Sequence, residues 1–165
     1  MNFSFVVAAA ENDAIGKNNG MLWHLPNDLK FLKNVTWAMP VLMGRKSFEA
    51  LGSKPLNGRA NIILTRNKDY MAEGAVVVNK LKDATFFAKQ NDFKEIMVLG
   101  GGEIYKMLLP KATKIYLTRV HTSFPEADAF FPSIDENKWK LTSRQDFDAD
   151  EKHAYAYSFE VWEKK

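Results

Sequence analysis

The sequence contains no cysteine and only three histidines, and both shortages narrow the chemistry open to the chain. Without cysteine there is no disulfide, thiolate nucleophile or Cys-based zinc site, which fits an intracellular protein. His24, His121 and His153 are scattered without the spacing of metal ligands. We therefore expect neither a metal centre nor a disulfide framework.

Long apolar runs and a strong excess of one charge are also missing. The apolar segment 5–10 has no basic leader and is too short to span a bilayer, so a buried first strand is expected there. Lysine and arginine exceed aspartate and glutamate by only 23 to 20. This balance permits anionic ligands, but it indicates neither a nucleic-acid nor a membrane partner.

The chain has the size and composition of one globular domain. Its 165 residues are 46% hydrophobic, enough for a substantial core, and no linker, repeat or low-complexity segment divides them. We expect residues 1–165 to form a single domain and a cytoplasmic monomer, since nothing in the pattern signals oligomerisation.

Short apolar runs rich in β-branched residues alternate with segments of helical spacing. This order predicts an α/β fold with a central, mostly parallel mixed sheet flanked by helices. Alternation after Pro132 predicts antiparallel strands that close one sheet edge. The expected strands are 3–10, 41–43, 61–65, 75–78, 96–99, 114–118, 141–145 and 155–161, and the expected helices are 26–35, 45–51, 81–89 and 103–109.

Two connections, 11–25 and 121–137, are long for a compact domain, and such loops are usually functional. The first is the better lid candidate. It combines the hinge-like Gly16 and Gly20 with the apolar Met21 and Trp23, which a purely solvated loop does not need.

Asp28 is the most informative single residue because it lies on the apolar stripe of a short helix. With Pro26 at the first helical position, Asp28, Phe31, Leu32 and Val35 follow the i, i+3, i+4, i+7 spacing. A carboxylate turned toward apolar neighbours needs strong donors or takes a raised pKa, and either outcome suits a polar heterocycle. Acids are also common in first helical turns for dipole reasons, so this position alone leaves a structural role open.

Polar or glycine-rich turns follow three of the expected strands. Gly100-Gly101-Gly102 precedes a helix and leaves bare backbone amides for a phosphate, although a tight turn explains it equally well. It is not the G-x-G-x-x-G fingerprint, because Tyr105 occupies the third glycine's place. Arg45 and Arg66 each follow a strand end, and two guanidinium groups there favour NADP over NAD.

Six segments together resemble bacterial dihydrofolate reductases, in the family's order and spacing and over essentially the whole chain. The resemblance implies a dihydrofolate reductase-like fold and NADPH-dependent reduction of 7,8-dihydrofolate to 5,6,7,8-tetrahydrofolate. Hydride would go to C6 and a solvent-derived proton to N5, in support of one-carbon metabolism. The segments are Ile15-Gly16, Trp23 through Lys33, Val41 through Arg45, Gly58 through Asn61, Leu99 through Tyr105, and Tyr116 through Thr118.

The resemblance also assigns a substrate side. Asp28 would bind the N3 and 2-amino groups of the pterin with support from Thr118, Trp23 would help to hold an ordered water, and the Met21 loop would regulate protonation. Arg59 would hold the α-carboxylate of the glutamate tail. The expected lining residues are Ala8, Leu29, Leu32, Leu51, Leu56 and Leu99. Antifolate inhibitors fit the same pocket.

On the cofactor side, the resemblance places the carboxamide at Ala8 and Ile15, the pyrophosphate at Ser47 and 101–104, and the 2′-phosphate at Arg45, Thr65 and Arg66. The Gly100–Gly101 peptide is typically cis in the family. The full set expected at NADPH is Ala8, Ile15, Gly16, Gly44, Arg45, Lys46, Ser47, Thr65, Arg66, Gly100, Gly101, Gly102, Glu103, Ile104 and Tyr105.

Three positions depart from frequent family patterns. Leu22 follows Met21 where proline is common, Arg66 replaces a small polar residue, and the loop 52–58 is one residue longer than in some relatives. These departures affect the lid, the grip on the 2′-phosphate and the placement of Leu56, respectively.

Two other functions share parts of this pattern. A same-fold NADPH reductase of a ribosylaminopyrimidine in riboflavin synthesis would share the cofactor half but not the segment 23–28. A catalytically silent NADPH-binding protein would keep the fold and lose the reaction, and the intact Asp28, Trp23, Thr118 and Arg59 argue against it.

Overall fold

The computed structural model describes residues 1–165 and has one eight-stranded sheet at its centre. The strands are β1 (Asn2–Ala10), β2 (Ala14–Gly16), β3 (Val41–Gly44), β4 (Asn61–Leu64), β5 (Val76–Val78), β6 (Glu95–Gly100), β7 (Ala112–Val120), β8 (Ala129–Phe130), β9 (Trp139–Phe147) and β10 (Tyr157–Lys164). The helices are α1 (Pro26–Val35), α2 (Arg45–Ala50), α3 (Leu81–Gln90) and α4 (Gly102–Leu108), followed by one 3-10 turn at Leu109–Lys111.

The order across the sheet is β5-β4-β3-β6-β1-β7-β10-β9. The first six of these strands are parallel to their neighbours, whereas β7–β10 and β10–β9 are antiparallel pairs. The predicted fold class, a mostly parallel sheet with antiparallel strands at its C-terminal edge, is therefore confirmed.

The helices cover both faces of the sheet, since side chains alternate along each strand. On β1, Phe5 and Val7 point into a core that includes Ala84 and Ala88 of α3. Val6 points the other way, into a core that contains Phe48 of α2 and is packed by Leu32 of α1. Burial on both faces explains why β1 reads as a continuous apolar run.

The predicted helices and strands are found. The helix 26–35 has its predicted ends, whereas the ends of the others are displaced by one or more residues. The largest extensions are in β7 and β9, which each run over nine residues instead of five because pairing with a neighbouring strand continues past the apolar run. No helix is long and apolar enough to cross a membrane.

The two long connections are joined to each other by a small sheet that the sequence pattern does not predict. In it, β2 from the first connection pairs antiparallel with β8 from the second. The backbone N–H of Asn18 donates to Asp128 Oδ2 at 2.9 Å and extends this link. Strands of three and two residues are too short to leave a periodic signal, so only the tertiary contact reveals them.

Candidate active site

Asp28 meets Thr118 across the space between α1 and the sheet. Thr118 Oγ1 donates a hydrogen bond to Asp28 Oδ1 at 2.8 Å. The sheet register places Ala8 of β1 and Phe159 of β10 on either side of Thr118. Pro26 begins α1, which places Asp28 in the first turn of the helix. The structure thus brings together three predicted site residues, Ala8, Asp28 and Thr118.

The surroundings of Asp28 change its proton affinity. Burial raises the pKa of this carboxyl above its ordinary value, and the hydrogen bond from Thr118 opposes that rise without cancelling it. A partly buried carboxyl with a raised pKa and a single side-chain donor can share a proton with a bound heterocycle and accept hydrogen bonds from it. Groups with perturbed pKa values cluster at functional sites.

The end of the first long connection brings Trp23 into the interior and leaves Met21 outside. Trp23 packs against Phe124 with ring centroids 5.7 Å apart, and its buried indole Nε1–H has no acceptor within the protein. Buried donors are normally satisfied. Met21 is 61% exposed. The lid candidate therefore carries one fixed aromatic side chain and one free apolar side chain.

The glycine turn lies at the carboxyl edge of the sheet, where β3 and β6 are neighbours. A Cβ on Gly101 would lie 3.2 Å from Ser47 Oγ, and one on Gly102 would lie 3.2 Å from the carbonyl oxygen of Phe130. The Gly100–Gly101 peptide is cis, and Gly100 has φ +115°. These residues form a cradle of bare backbone that fits the pyrophosphate of a dinucleotide.

The predicted cationic side chains occupy the adjoining strand ends. Arg45 and Lys46 open α2 after β3, and Thr65 and Arg66 follow β4, the next strand in the sheet. Arg45 NH1 is paired with Glu49 Oε1 at 2.7 Å, while Arg66 is exposed. Both guanidinium groups follow neighbouring strand ends at this edge, and the contact with Glu49 uses only one of the five N–H donors of Arg45.

Most of the remaining residues predicted at the cofactor border the cradle, and one is turned away. The Cδ1 atom of Ile15 lies 3.9 Å from the position of a Cβ on Gly102, and Ile104 contacts the equivalent position on Gly44. Gly16 is buried on β2, and Glu103 is exposed. Tyr105 is turned into the core, where its hydroxyl donates to the carbonyl oxygen of Val6 at 2.7 Å. It packs beneath Gly100 rather than on the open side of the turn.

The predicted leucines divide into two groups. Leu32, Leu56 and Leu99 are partly buried against the core cluster on the α1 and α2 side of the sheet. Leu29 and Leu51 are 42% and 45% exposed. The side chains of this second pair are therefore open to solvent in the absence of a ligand.

Arg59 is held by several contacts at once. Its Nε–H donates to Thr36 Oγ1 at 2.9 Å, one terminal nitrogen donates to the carbonyl oxygen of Lys33 at 2.6 Å, and the other donates to that of Asn57. The guanidinium also lies 5.2 Å from the ring centroid of Trp37. Three of its five N–H donors are used, so one donor on each terminal nitrogen is left for a carboxylate.

Sequence reasoning missed the side chains that support these groups. Thr36 holds Arg59, whereas Asn27, His153 and Tyr157 contact one another at the beginning of α1. No local pattern marks them, because the partners are separated by 126 and 130 residues along the chain.

A partly buried carboxyl with a raised pKa, together with a backbone cradle at the carboxyl edge of a parallel sheet, indicates a nicotinamide-dependent reductase. The comparisons narrow this class. The family model described as "Dihydrofolate reductase" matches residues 2–164. The dihydrofolate reductase of Bacillus subtilis is 42% identical over 162 residues, covering 98% of this chain and 94% of that protein. The Haemophilus influenzae enzyme is 41% identical over 165 residues and 100% of both chains.

The solved structures agree with the sequences. A dihydrofolate reductase from Enterococcus faecalis, complexed with NADP(H) and RAB-propyl, superposes with a TM-score of 0.90 at 35% identity, covering 99% of this chain and 96% of that one. The chain belongs to the dihydrofolate reductase family. Its activity is the NADPH-dependent reduction of dihydrofolate, and the ribosylaminopyrimidine and silent-binder alternatives are not favoured.

Proposed function

We propose that Asp28, supported by Thr118, is the group that binds the pterin of 7,8-dihydrofolate and favours its protonated form. The observation that carries this proposal is the hydrogen bond of 2.8 Å between Thr118 and a carboxyl whose pKa burial raises. A carboxylate in this position accepts hydrogen bonds from N3–H and the 2-amino group. Its negative charge stabilises a cation better in a partly buried site than in water.

When NADPH is bound, it supplies the hydride for C6 of dihydrofolate. The chain's own residues orient the pterin and control water. Trp23 offers its buried indole N–H to an ordered water, and the exposed Met21 lies on the segment that closes over the site. The proton for N5 comes from solvent, and the movement of that segment decides when water enters.

We assign the cofactor to the cradle at the carboxyl edge. Gly101, Gly102 and Ser47 hold the pyrophosphate. The close approach of Ser47 Oγ and of the Phe130 carbonyl, each 3.2 Å from the position of a glycine Cβ, supports this because it leaves bare backbone at the turn. Arg45, Thr65 and Arg66 bind the 2′-phosphate. Ala8 and Ile15 border the carboxamide. Leu29 and Leu51 border the substrate, and antifolates compete for the contacts to Asp28.

Arg59 should affect only substrates that carry a glutamate tail. We expect Arg59→Ala to raise the KM for dihydrofolate by about ten- to hundred-fold, the equivalent of one charge-assisted contact of about 1.5–3 kcal/mol. The kcat should change little, because the tail lies away from the reacting atoms. Steady-state kinetics with dihydrofolate check this expectation.

A reduced pterin without the tail is the matched control substrate, and its kcat/KM should be the same for Arg59→Ala and the wild type. Equal losses with both substrates would show that Arg59 shapes the pocket as a whole and does not clamp a carboxylate.

The reaction itself is tested by the loss of reduced-nicotinamide absorbance when the protein meets NADPH with and without dihydrofolate. We expect rapid oxidation that depends on dihydrofolate and is much slower with NADH. Tight binding of both ligands without oxidation would contradict the catalytic assignment. Absence of dihydrofolate binding would contradict the assignment of Asp28. We further propose that residues 1–165 act as one domain and as a cytoplasmic monomer, and light scattering measures the oligomeric state.

A further inference from the structure

The beginning of α1 is held from the opposite end of the chain. His153 lies in the connection between β9 and β10 and is 3% exposed. Its Nε2 accepts a hydrogen bond from the backbone N–H of Asn27 at 3.1 Å. That amide belongs to the first turn of α1. The N-cap residue of the helix, Leu25, makes no side-chain hydrogen bond to this turn. The histidine thus satisfies a helix donor that is otherwise without a partner.

A second residue fixes which nitrogen of the imidazole carries the proton. Asp150 Oδ1 lies 2.8 Å from His153 Nδ1 and also accepts the backbone N–H of His153 at 2.9 Å. A carboxylate can only accept, so it requires the proton on Nδ1 and leaves the lone pair of Nε2 facing Asn27. Consistent with this contact, the hydrogen bond from His153 lowers the pKa of Asp150.

An aromatic residue, Tyr157, also contacts both His153 and Asn27. Tyr157 of β10 packs against His153 with ring centroids 5.1 Å apart, and its hydroxyl accepts a hydrogen bond from Asn27 Nδ2 at 2.7 Å. The groups that face the imidazole are therefore Asp150 from its own loop, the Asn27 amide from α1 and the Tyr157 ring from β10. Asn27 is held through both its backbone and its side chain, and the next residue is Asp28.

We propose that His153, in the neutral form with its proton on Nδ1, is a positioning residue that holds the first turn of α1 and thereby keeps Asp28 opposite Thr118. This inference rests on the function proposed for Asp28. A proton on Nε2, as in the other tautomer, would face the Asn27 N–H and break the link.

The test compares His153→Phe, which keeps an aromatic ring but has no acceptor, with His153→Gln, whose Oε1 can reach the position of Nε2. For His153→Phe we expect the Kd for dihydrofolate to rise about three- to ten-fold at pH 7, the value of one hydrogen bond. The Kd for NADPH should be unchanged because the cradle lies on other elements. His153→Gln should recover most of the dihydrofolate affinity.

The recovery by His153→Gln distinguishes this link from packing, because only an acceptor at the position of Nε2 restores the hydrogen bond to Asn27. Unchanged dihydrofolate binding by His153→Phe, no recovery by His153→Gln, or equal weakening of both ligands would each overturn the proposal.

Nitrogen-15 NMR of the ligand-free protein tests the hydrogen bond between Asn27 and His153 without any substrate. We expect a protonated Nδ1 and an unprotonated Nε2 on His153. The Asn27 amide should be protected from exchange in the wild type and should lose that protection in His153→Phe. The opposite tautomer or an unprotected amide would overturn the inference even if Asp28 functions as proposed. Expected NMR results with no dihydrofolate binding by the wild type would instead contradict the function of Asp28.

Discussion

Replacing Asp28 with asparagine is expected to lower the rate of hydride transfer about hundred-fold at pH 7, within the range for loss of a positioned acid or base. Asparagine keeps the shape and some hydrogen bonds but has no negative charge to stabilise a protonated pterin. In acid, solvent supplies the proton and part of the rate returns. The pH–rate curve of the variant is therefore displaced toward acid, which single-turnover measurements between pH 5 and 8 would show.

Thr118→Val is the matched control for this experiment, because it leaves the carboxyl in place and removes the donor at 2.8 Å. That hydrogen bond lowers the pKa of Asp28 against the larger effect of burial, so its loss lets Asp28 and the pterin keep their shared proton to higher pH. The curve of Thr118→Val should move toward alkali, opposite to that of Asp28→Asn. A pH-independent loss of only a few fold in Asp28→Asn would refute the electrostatic role.

The combined replacement of Arg45 and Arg66 by alanine is expected to weaken NADPH binding by about hundred-fold or more. Each charge-assisted contact to a phosphate contributes about 1.5–3 kcal/mol. NADH has no 2′-phosphate and should lose less than about three-fold in affinity. Fluorescence titrations with the two cofactors give the two Kd values directly.

Two single variants keep this test specific. Lys68→Ala removes an exposed charge two residues from Arg66 and should leave the preference for NADPH intact. Glu49→Gln removes the partner that holds Arg45 at 2.7 Å, so it should preserve or strengthen NADPH binding. Equal weakening of NADPH and NADH by the double variant would remove the two arginines from cofactor choice.

Local sequence patterns were sufficient to predict structure where the residues of a single helix or strand determine it. The helix 26–35 was predicted with its observed ends, because Pro26 and the apolar stripe both lie within it. The Asp28 position followed from the same stripe. The strands of the parallel sheet were predicted from their apolar runs because both faces are buried.

Local patterns failed where a distant segment decides. The pairing of β2 with β8 joins segments more than a hundred residues apart. Tyr105 shares its sequence neighbourhood with the glycine turn, yet its hydroxyl is bonded to Val6 in the core. The hydrogen bond from Asn27 to His153 belongs to the same class.

The position of β10 inside the sheet, between β7 and β9, bears on how the protein is made. Because β9 emerges from the ribosome before the strand that it pairs with, it has no partner until β10 is complete, and only then can the contacts that hold α1 form. The pairing of β9 with β10 is local, but the contacts of β10 and of His153 with β7 and α1 join distant segments. Such contacts form slowly, and β9 stays unpaired meanwhile. Folate affinity should therefore be among the last properties that the nascent chain acquires, well after the nucleotide half has assembled.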